Sequence, residues 1–326
     1  MRLVVDRLLM PEPAELARLL EVAEPYASGE LGRHPARFFA FEPAELAPTR
    51  TESRPRRAIA GGAVVRHRLM AALSPWAGPP WPGDAIRVEH WAHARRPRAV
   101  VLALHGFVMG YPALDARMLL APAWFRQGYD VALLTLPYHG RRTPPGARFS
   151  GERFAAVDPA MLNEAVRRAV GEIFLVSRWL RDRVEAPVGL LGLSLGGYLA
   201  ALAAGLTRDL AFVVPIVPPV CFGDLAWRFY RASRRRSGEI TVTREQLRRA
   251  YRVHSPLTHP LQIPRERALI VAGRGDRIVP PHHPRALAWH WGAPAMHWFS
   301  GSHVVPFGRR GLVHAVGDHL RRTTAG

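Results

Sequence analysis

The sequence predicts an α/β fold in which a mostly parallel central sheet carries helices on both faces. From residue 98 onward, short and continuously apolar stretches recur, and segments with helical hydrophobic spacing separate several of them. A strand that is buried on both faces is apolar throughout, whereas a strand with one wet face alternates. Apolar strands that alternate with helices are typical of a parallel sheet, because each parallel connection needs a long crossover.

The predicted elements follow one another in a regular order. Two strand-like stretches come first, over residues 63–70 and 85–94, and they flank a turn-rich loop. Buried strands are then predicted over residues 98–106, 129–137, 187–194, 211–218, 267–275 and 294–301. Helices are predicted over residues 114–127, 160–184, 196–206 and 308–322, and Asp158 with Pro159 suits the cap and first turn of the long one.

Two segments lie outside this alternation. We divide the chain into an N-terminal helical and extended segment, residues 1–60, and an α/β domain, residues 61–326. Within the first, residues 13–31 have an amphipathic helical pattern, and the polar, proline-rich residues 43–60 indicate a connector. Residues 219–263 contain no buried-strand run and are predicted to form a helical lid at the sheet edge where open α/β folds bind ligands.

The chain is strongly basic. It has 326 residues, 48% of them hydrophobic, and a formal net charge of +19 in which all 45 basic residues are arginine. One interpretation is a nucleic-acid or anionic-membrane partner, and the other is arginine-rich coding DNA with arginines spread over a solvated surface. We favour the second and expect no nucleic-acid partner, because no RNA-recognition, KH or zinc-finger pattern occurs.

The single cysteine and the chain's hydropathy bear on location. Cys221 has no partner for an internal disulfide, which fits a reducing compartment. The apolar stretch at the N-terminus contains Asp6 and makes a poor signal peptide. No stretch approaches the roughly 20 apolar residues that a membrane helix needs. We therefore expect a cytoplasmic protein and leave peripheral membrane contact open.

A serine stands where a predicted buried strand meets a helix of small residues. The stretch LLGLSLGGY puts Ser194 between Gly192 and Gly196, which fits the G-x-S-x-G nucleophile elbow. Side chains at the two glycine positions would collide in so tight a turn. The N-terminus of the following helix would favour negative charge that develops near the serine. We predict that Ser194 is a nucleophile.

A serine nucleophile needs a base, and the base needs an orienting acid. The stretch GRGDRIVP puts Asp276 just past the fifth buried strand, and GSHVVP puts His303 just past the sixth. This gives the order serine, acid, histidine. The competing histidines are placed inside a strand, inside the last helix or in a proline-rich loop, namely His282, His283, His297 and His314.

Backbone donors are required for the oxyanion of the tetrahedral intermediate. The N–H group of Leu195, directly after the serine, is the first candidate. The second is the N–H group of Phe107 in the stretch LALHGF, where Gly106 lets the backbone approach closely.

These motifs resemble the α/β-hydrolase superfamily of serine esterases and lipases. The resemblance spans residues 63–322, and HGF, GLSLGG, GRGDRIVP and GSHVVP occur in the order of that family. The sequence also looks like a member of a branch related to eukaryotic α/β-hydrolase domain-containing proteins. The resemblance implies the α/β-hydrolase fold and a Ser194–Asp276–His303 triad.

Two further groups are candidates for substrate binding. The stretch PYHGRR holds His139, Arg141 and Arg142, which could bind an anionic part of the substrate or form an ordinary basic loop. In the predicted lid, Trp227 could line an acyl pocket or face a membrane, or it could pack as any helix residue does.

The sequence therefore predicts a serine hydrolase that cleaves a small-molecule or lipid carboxylic ester, with no metal and no organic cofactor. Two alternatives remain open. The same triad serves peptidases and acyltransferases, and the fold also serves non-catalytic binding proteins.

Overall fold

The central sheet organises the whole molecule. The structure is a computed structural model, and it describes residues 13–73, 84–154, 158–233, 241–303, 306–307 and 309–325. The strands run in the order β1-β2-β3-β5-β4-β6-β7-β8-β9-β10. Their bounds are β1 Pro48–Ile59, β2 Gly62–Ala71, β3 Ile86–His93, β4 Val100–Leu104, β5 Asp130–Thr135, β6 Val188–Leu193, β7 Val213–Ile216, β8 Leu269–Gly273, β9 Ala295–Gly301 and β10 Pro306–Phe307.

The middle of the sheet is parallel and its ends are antiparallel. Strands β5, β4, β6, β7, β8 and β9 pair parallel with their neighbours. The hairpin β1–β2, the pair β2–β3, the pair β3–β5 and the pair β9–β10 are antiparallel. Every residue of β4 and β5 is buried, as the continuous apolar runs predict for strands that are covered on both faces.

Helices cover both faces of the sheet. They are α1 Pro13–Val22, α2 Glu24–Ala27, α3 Gly29–Arg33, α4 Pro112–Met118, α5 Ala121–Arg126, α6 Pro159–Val184, α7 Leu195–Ala204, α8 Phe222–Ser233, α9 Arg244–Ala250, α10 His282–His290 and α11 Arg309–Thr323. A hydrophobic cluster therefore lies on each face of the sheet. Helices α6 and α7 pack on one face, and α4, α5 and α11 pack on the other. The helix-flanked, mostly parallel sheet is the α/β fold that the sequence predicts.

The long helix α6 begins where the sequence predicts its cap. The Asp158 carboxylate accepts a hydrogen bond from the Met161 N–H group at 3.1 Å, and Pro159 occupies the first helical position. A carboxylate there satisfies a donor that the helix cannot pair internally. The helix then buries an apolar stripe that runs from Leu162 to Leu180 against the sheet.

The N-terminal segment is more structured than the sequence suggests. The predicted connector over residues 43–60 is wrong in its second part, because Pro48–Ile59 form β1 and pair with β2. Most of this strand is exposed, so it lacks the apolar pattern that marks a buried strand. The segment also packs on α6: the Tyr26 hydroxyl lies 2.7 Å from the Glu164 carboxylate, and Arg167 donates to the Phe38 carbonyl.

Two other predicted elements differ from the structure. The helix predicted over residues 114–127 is broken into α4 and α5, because Leu120 has a left-handed backbone conformation with φ 60°. His282 and His283, predicted to lie in a proline-rich loop, begin helix α10. The prolines that precede them are compatible with a helix start. Proline lacks a backbone N–H group, and the N–H groups of a helix's first turn have no partner within the helix.

The region predicted as a lid is helical in the described residues. Helix α8 packs against α9, and Arg244 and Arg248 both donate to the Asp224 carboxylate at 2.7 Å. Within the described ranges, the chain contains no helix with the length and apolar character that spanning a membrane requires.

Candidate active site

Ser194 stands on a strained turn between β6 and α7. Its backbone angles are φ 54° and ψ −111°, and its N–H group donates to the Ile216 carbonyl at 2.8 Å. A Cβ atom on Gly192 would lie 2.0 Å from the Gly196 carbonyl oxygen, so no side chain fits there. A non-glycine residue in this conformation costs free energy that the surrounding packing must supply. The turn therefore holds the serine at the carboxyl edge of the parallel strands.

His303 lies between Ser194 and Asp276. Its Nε2 atom is 2.8 Å from the Ser194 hydroxyl oxygen, and its Nδ1 atom is 2.7 Å from a carboxylate oxygen of Asp276. A carboxylate can only accept, so Nδ1 carries the proton of a neutral imidazole and Nε2 accepts from the serine. The structure thus brings together the three residues that the sequence proposes as a triad.

The Asp276 carboxylate is fixed from its other side. The oxygen that does not face His303 accepts hydrogen bonds from the Ile278 and Val279 N–H groups, both at 2.9 Å. Asp276 is also almost completely buried, with 4% of its surface exposed. A buried carboxylate is stable only when its oxygens are hydrogen-bonded. These two donors therefore orient Asp276 towards the imidazole.

The two proposed oxyanion donors lie beside the serine. Leu195 is the first residue of α7, whose opening N–H groups have no partner within the helix. Gly106 is so close that a Cβ atom on it would be 3.6 Å from Cβ of Ser194, which brings the Phe107 segment alongside the serine. In the described part of the chain, no hydrogen bond engages the N–H group of Leu195 or Phe107. With respect to the described residues, both N–H groups are thus available to donate hydrogen bonds to an acceptor of a ligand.

The loop that carries Phe107 is held by residues that the sequence reasoning missed. The Asp115 carboxylate accepts a hydrogen bond from the Gly110 N–H group at 3.1 Å. The Ser150 hydroxyl donates to the Met109 carbonyl and accepts from the Gly140 N–H group. Burial raises the pKa of Asp115 to about 7, against the effect of its backbone hydrogen bonds. No motif marks either residue in the sequence.

Two buried histidines join the loops after β4 and β5. His105 accepts from the Leu136 N–H group through Nε2 at 3.0 Å and donates to the Gly106 carbonyl through Nδ1. Burial lowers the pKa of His105 to about 4, so its neutral form persists at pH 7. His139 donates to the Pro137 carbonyl and packs edge-on against His105 at 4.9 Å.

His139 and Arg142 do not have the positions expected of substrate contacts. Both are fully buried. The Arg142 guanidinium forms two hydrogen bonds of 2.6 Å to the buried Glu172 carboxylate and a third to the Thr135 carbonyl. Such a bidentate pair fastens the loop after β5 to helix α6. Of this predicted group, Arg141 alone is exposed.

Trp227 lies on α8, half-buried. Its ring stacks on Tyr230 with centroids 6.2 Å apart, and the Arg231 guanidinium lies over it at 5.9 Å. None of its ring contacts among the described residues reaches the triad. The same helix does approach the acid loop, because Arg228 donates to the Ile278 carbonyl at 3.4 Å.

The fold and the site define a class of protein. The sheet order, the elbow after β6 and the loops after β8 and β9 are those of an α/β hydrolase. Solved structures agree on this fold. Acetyl xylan esterase 1 from Thermoanaerobacterium sp. JW/SL YS485 has a TM-score of 0.62 and 14% identity, with 96% of this chain and 99% of that chain covered. Acetyl xylan esterase from Paenibacillus sp. R4 has a TM-score of 0.57 and 15% identity, with 99% of each chain covered.

Sequence comparisons point to the same superfamily. Residues 84–221 match the family model of alpha/beta hydrolase domain containing 18. The uncharacterized protein Rv2627c of Mycobacterium tuberculosis is 32% identical over 220 residues, which are 66% of this chain and 52% of that protein. The match thus spans about half the length of that relative. In residues 84–221 and in its overall fold, the chain is thus similar to α/β hydrolases.

Proposed function

We propose that the protein is a serine hydrolase that cleaves a carboxylic ester. The observation that carries this proposal is the hydrogen-bonded series from Asp276 through His303 to Ser194, at 2.7 and 2.8 Å. Distances of this size are those over which a base takes a hydroxyl proton. The esterases that share the fold support an ester substrate.

The reaction begins with the attack of the Ser194 hydroxyl oxygen on the ester carbonyl carbon. His303 accepts the hydroxyl proton at Nε2 as the bond forms, and Asp276 stabilises the resulting imidazolium through Nδ1. The negative charge moves to the carbonyl oxygen, where the N–H groups of Phe107 and Leu195 donate hydrogen bonds.

The tetrahedral intermediate then breaks down. His303 returns its proton to the leaving alcohol, the ester C–O bond breaks, and an acyl group remains on Ser194. A water molecule gives a proton to His303 and attacks the acyl carbon. Breakdown of the second intermediate releases the carboxylic acid and restores the Ser194 hydroxyl, so protons and bonds balance over the cycle.

Ester hydrolysis by purified variants tests the proposal. We expect the wild-type protein to hydrolyse p-nitrophenyl esters of short acyl chains, with an initial burst if the acyl-enzyme accumulates. Ser194→Ala and His303→Ala should each lower kcat by at least about a thousandfold. Neither side chain belongs to the hydrophobic core, so both variants should fold. Thermal unfolding of each variant checks this.

The same assay separates the alternatives. Transfer of the acyl group to an added alcohol or amine in preference to water would indicate an acyltransferase. Cleavage of amide substrates at rates above those of the esters would indicate a peptidase. A folded wild-type protein without turnover of any ester or amide would overturn the proposal and favour a binding protein with this fold.

A further inference from the structure

Three strands at one end of the sheet bring arginines face to face. In the register of β1 with β2, Arg54 stands opposite Arg66, and in the register of β2 with β3, Arg68 stands opposite Arg87. Residues directly opposite one another in a sheet point to the same side, and so do residues two apart along a strand. All four side chains therefore lie on one face, where like charges in opposite positions destabilise the pairing.

Acidic residues balance only part of this charge. Glu89 accepts from Arg66 at 3.0 Å, and Glu52 lies 4.0 Å from Arg68 and 3.1 Å from Arg50. Among the residues that the structure describes, Arg87 has no ion-pair partner. Among the described residues, the cluster thus holds more positive charge than its acidic neighbours balance.

Two of these guanidinium groups also contain buried donors without partners. In the described ranges, the Nε atoms of Arg68 and Arg87 are inaccessible to solvent and have no hydrogen-bond acceptor. Burial, followed by the charges of Arg68 and Arg141, lowers the pKa of Arg87 from its ordinary value. Because a guanidinium remains protonated in proteins, this environment costs free energy that a bound anion would recover.

The arginines surround a cavity. Its volume is about 390 Å³, and Glu52, Glu89, Gly110, Pro112 and Thr135 contribute to its wall. Its basic lining consists of Arg54, Arg56, Arg66, Arg68, Arg87 and Arg141. A volume of this size lies at the lower end of the range for small-molecule sites.

The cavity opens at the same sheet edge as Ser194. Arg87 pairs with Thr135 at the carboxyl end of β5, and Gly110 belongs to the loop that also carries Phe107. Strand β3 is separated from β6 by β5 and β4, so three strand spacings of about 4.8 Å put the strand of Arg87 about 14 Å from that of the elbow, and β2 and β1 lie farther away.

We propose that this arginine cavity binds the phosphate or diphosphate group of a soluble small molecule. Guanidinium groups match phosphate oxygens in pairs, and several of them around one concave site favour a group with more than one negative charge. Because these arginines line a concave cavity, a ligand must enter it to contact several of them at once, which favours a small molecule over a membrane surface. The inference goes beyond the proposed hydrolase activity and does not depend on it.

Binding of pyrophosphate tests this site. We expect isothermal titration calorimetry at 150 mM salt to detect binding by the wild-type protein, since that salt screens diffuse surface attraction. Arg87→Gln and Arg68→Gln should each weaken binding by about tenfold or more. Arg178→Gln is the matched control, because it removes the same charge from an exposed position on α6 and should leave binding unchanged.

The unliganded variants provide a second measurement. Arg87→Gln relieves like-charge repulsion, so its melting temperature without pyrophosphate should equal or exceed that of the wild type. The rise in melting temperature that pyrophosphate gives to the wild type should disappear in this variant. Ser194→Ala should keep both the affinity for pyrophosphate and the rise in melting temperature that pyrophosphate gives. This result separates the site from the proposed hydrolase chemistry.

Three results would overturn the proposal. The first is that Arg87→Gln binds pyrophosphate as tightly as the wild type does. The second is that Arg178→Gln loses as much affinity for pyrophosphate as Arg87→Gln, which would indicate diffuse attraction. The third is Arg87-dependent binding of vesicles containing phosphatidylglycerol, or of a single-stranded oligonucleotide, under conditions where pyrophosphate does not bind.

Discussion

The Nε2 atom of His303 lies 2.8 Å from the hydroxyl oxygen of Ser194, although 109 residues separate the two in the chain. The parallel sheet explains this proximity. Ser194 follows β6 and His303 follows β9, and the carboxyl ends of parallel strands meet at one edge. The geometry orders the imidazole, because its second nitrogen faces the Asp276 carboxylate.

Asp276→Asn should separate the orienting role of the acid from its role in folding. The asparagine oxygen can still accept from the Ile278 and Val279 N–H groups, while its amide then donates towards His303 Nδ1. This favours the tautomer with the proton on Nε2, which cannot accept from Ser194. We expect kcat for ester hydrolysis to fall by about 10⁴.

Asp209→Asn, at an exposed position, is the matched control for that substitution and should keep full activity. Both variants should melt near the wild-type temperature. Unchanged turnover in folded Asp276→Asn would contradict the assigned role.

Gly196→Ala should disrupt the elbow. A Cβ atom at this position would lie 2.1 Å from the Leu104 carbonyl oxygen, so the backbone of β4 or α7 must shift. We expect a loss of about 3 kcal/mol in the free energy of unfolding, together with loss of activity. Gly311→Ala in α11 has open space around it and should be neutral or stabilising by about 0.5 kcal/mol. Urea unfolding measures the free energy of unfolding of both variants. Equal values for the two would contradict the steric role assigned to Gly196.

Arg142→Ala should affect stability, and Arg141→Ala should not. Removal of Arg142 leaves the Glu172 carboxylate buried, with Arg168 as its remaining partner at 3.1 Å. We expect a loss of about 3–5 kcal/mol in the free energy of unfolding. The exposed Arg141 should change it by less than about 0.5 kcal/mol. Equal stabilities in urea unfolding would show that the buried pair contributes nothing.

Asp115 should make stability depend on pH. Burial raises its pKa to about 7 in the folded protein, above its ordinary value of 3.8. The folded state therefore holds a proton that the unfolded state has lost, and this contribution is full below pH 4 and is lost as the pH rises through 7. Asp115→Asn keeps an acceptor for the Gly110 N–H group but cannot titrate.

The stability of the wild type relative to Asp115→Asn should consequently fall between pH 4 and pH 8, by a few kcal/mol at about 1.4 kcal/mol per pKa unit. Urea unfolding at several pH values in this range measures the difference. A difference that stays constant, or that grows in favour of the wild type, would rule out this titration.

The sequence predicted those parts of the molecule that depend on burial and on chain order. Strands β4 and β6 have no polar side chains, and β5 is apolar between Asp130 and Thr135, because both faces are covered. That pattern is visible in one sequence. The approach of Asp276 and His303 to Ser194 followed from their positions after parallel strands. Their roles in a reaction stay predictions.

Features that depend on side chains from distant elements could not be predicted. Strand β1 is exposed and rich in arginine, and pairing with β2 alone makes it a strand. Arg142 looked like a neighbour of Arg141 with the same role, but its partner Glu172 lies on another element and no spacing connects them. The facing arginines of β2 and β3 become visible only once the strand register is known.

Labelling with a fluorophosphonate tests the central claim most directly, because the probe forms a covalent bond only with an activated serine. Tandem mass spectrometry of the labelled protein should identify one adduct, on Ser194, and Ser194→Ala should remain unlabelled. His303→Ala should label far more slowly than the wild type, since the hydroxyl then lacks its base. A folded wild-type protein that stays unlabelled, or an adduct on a different residue, would contradict the account.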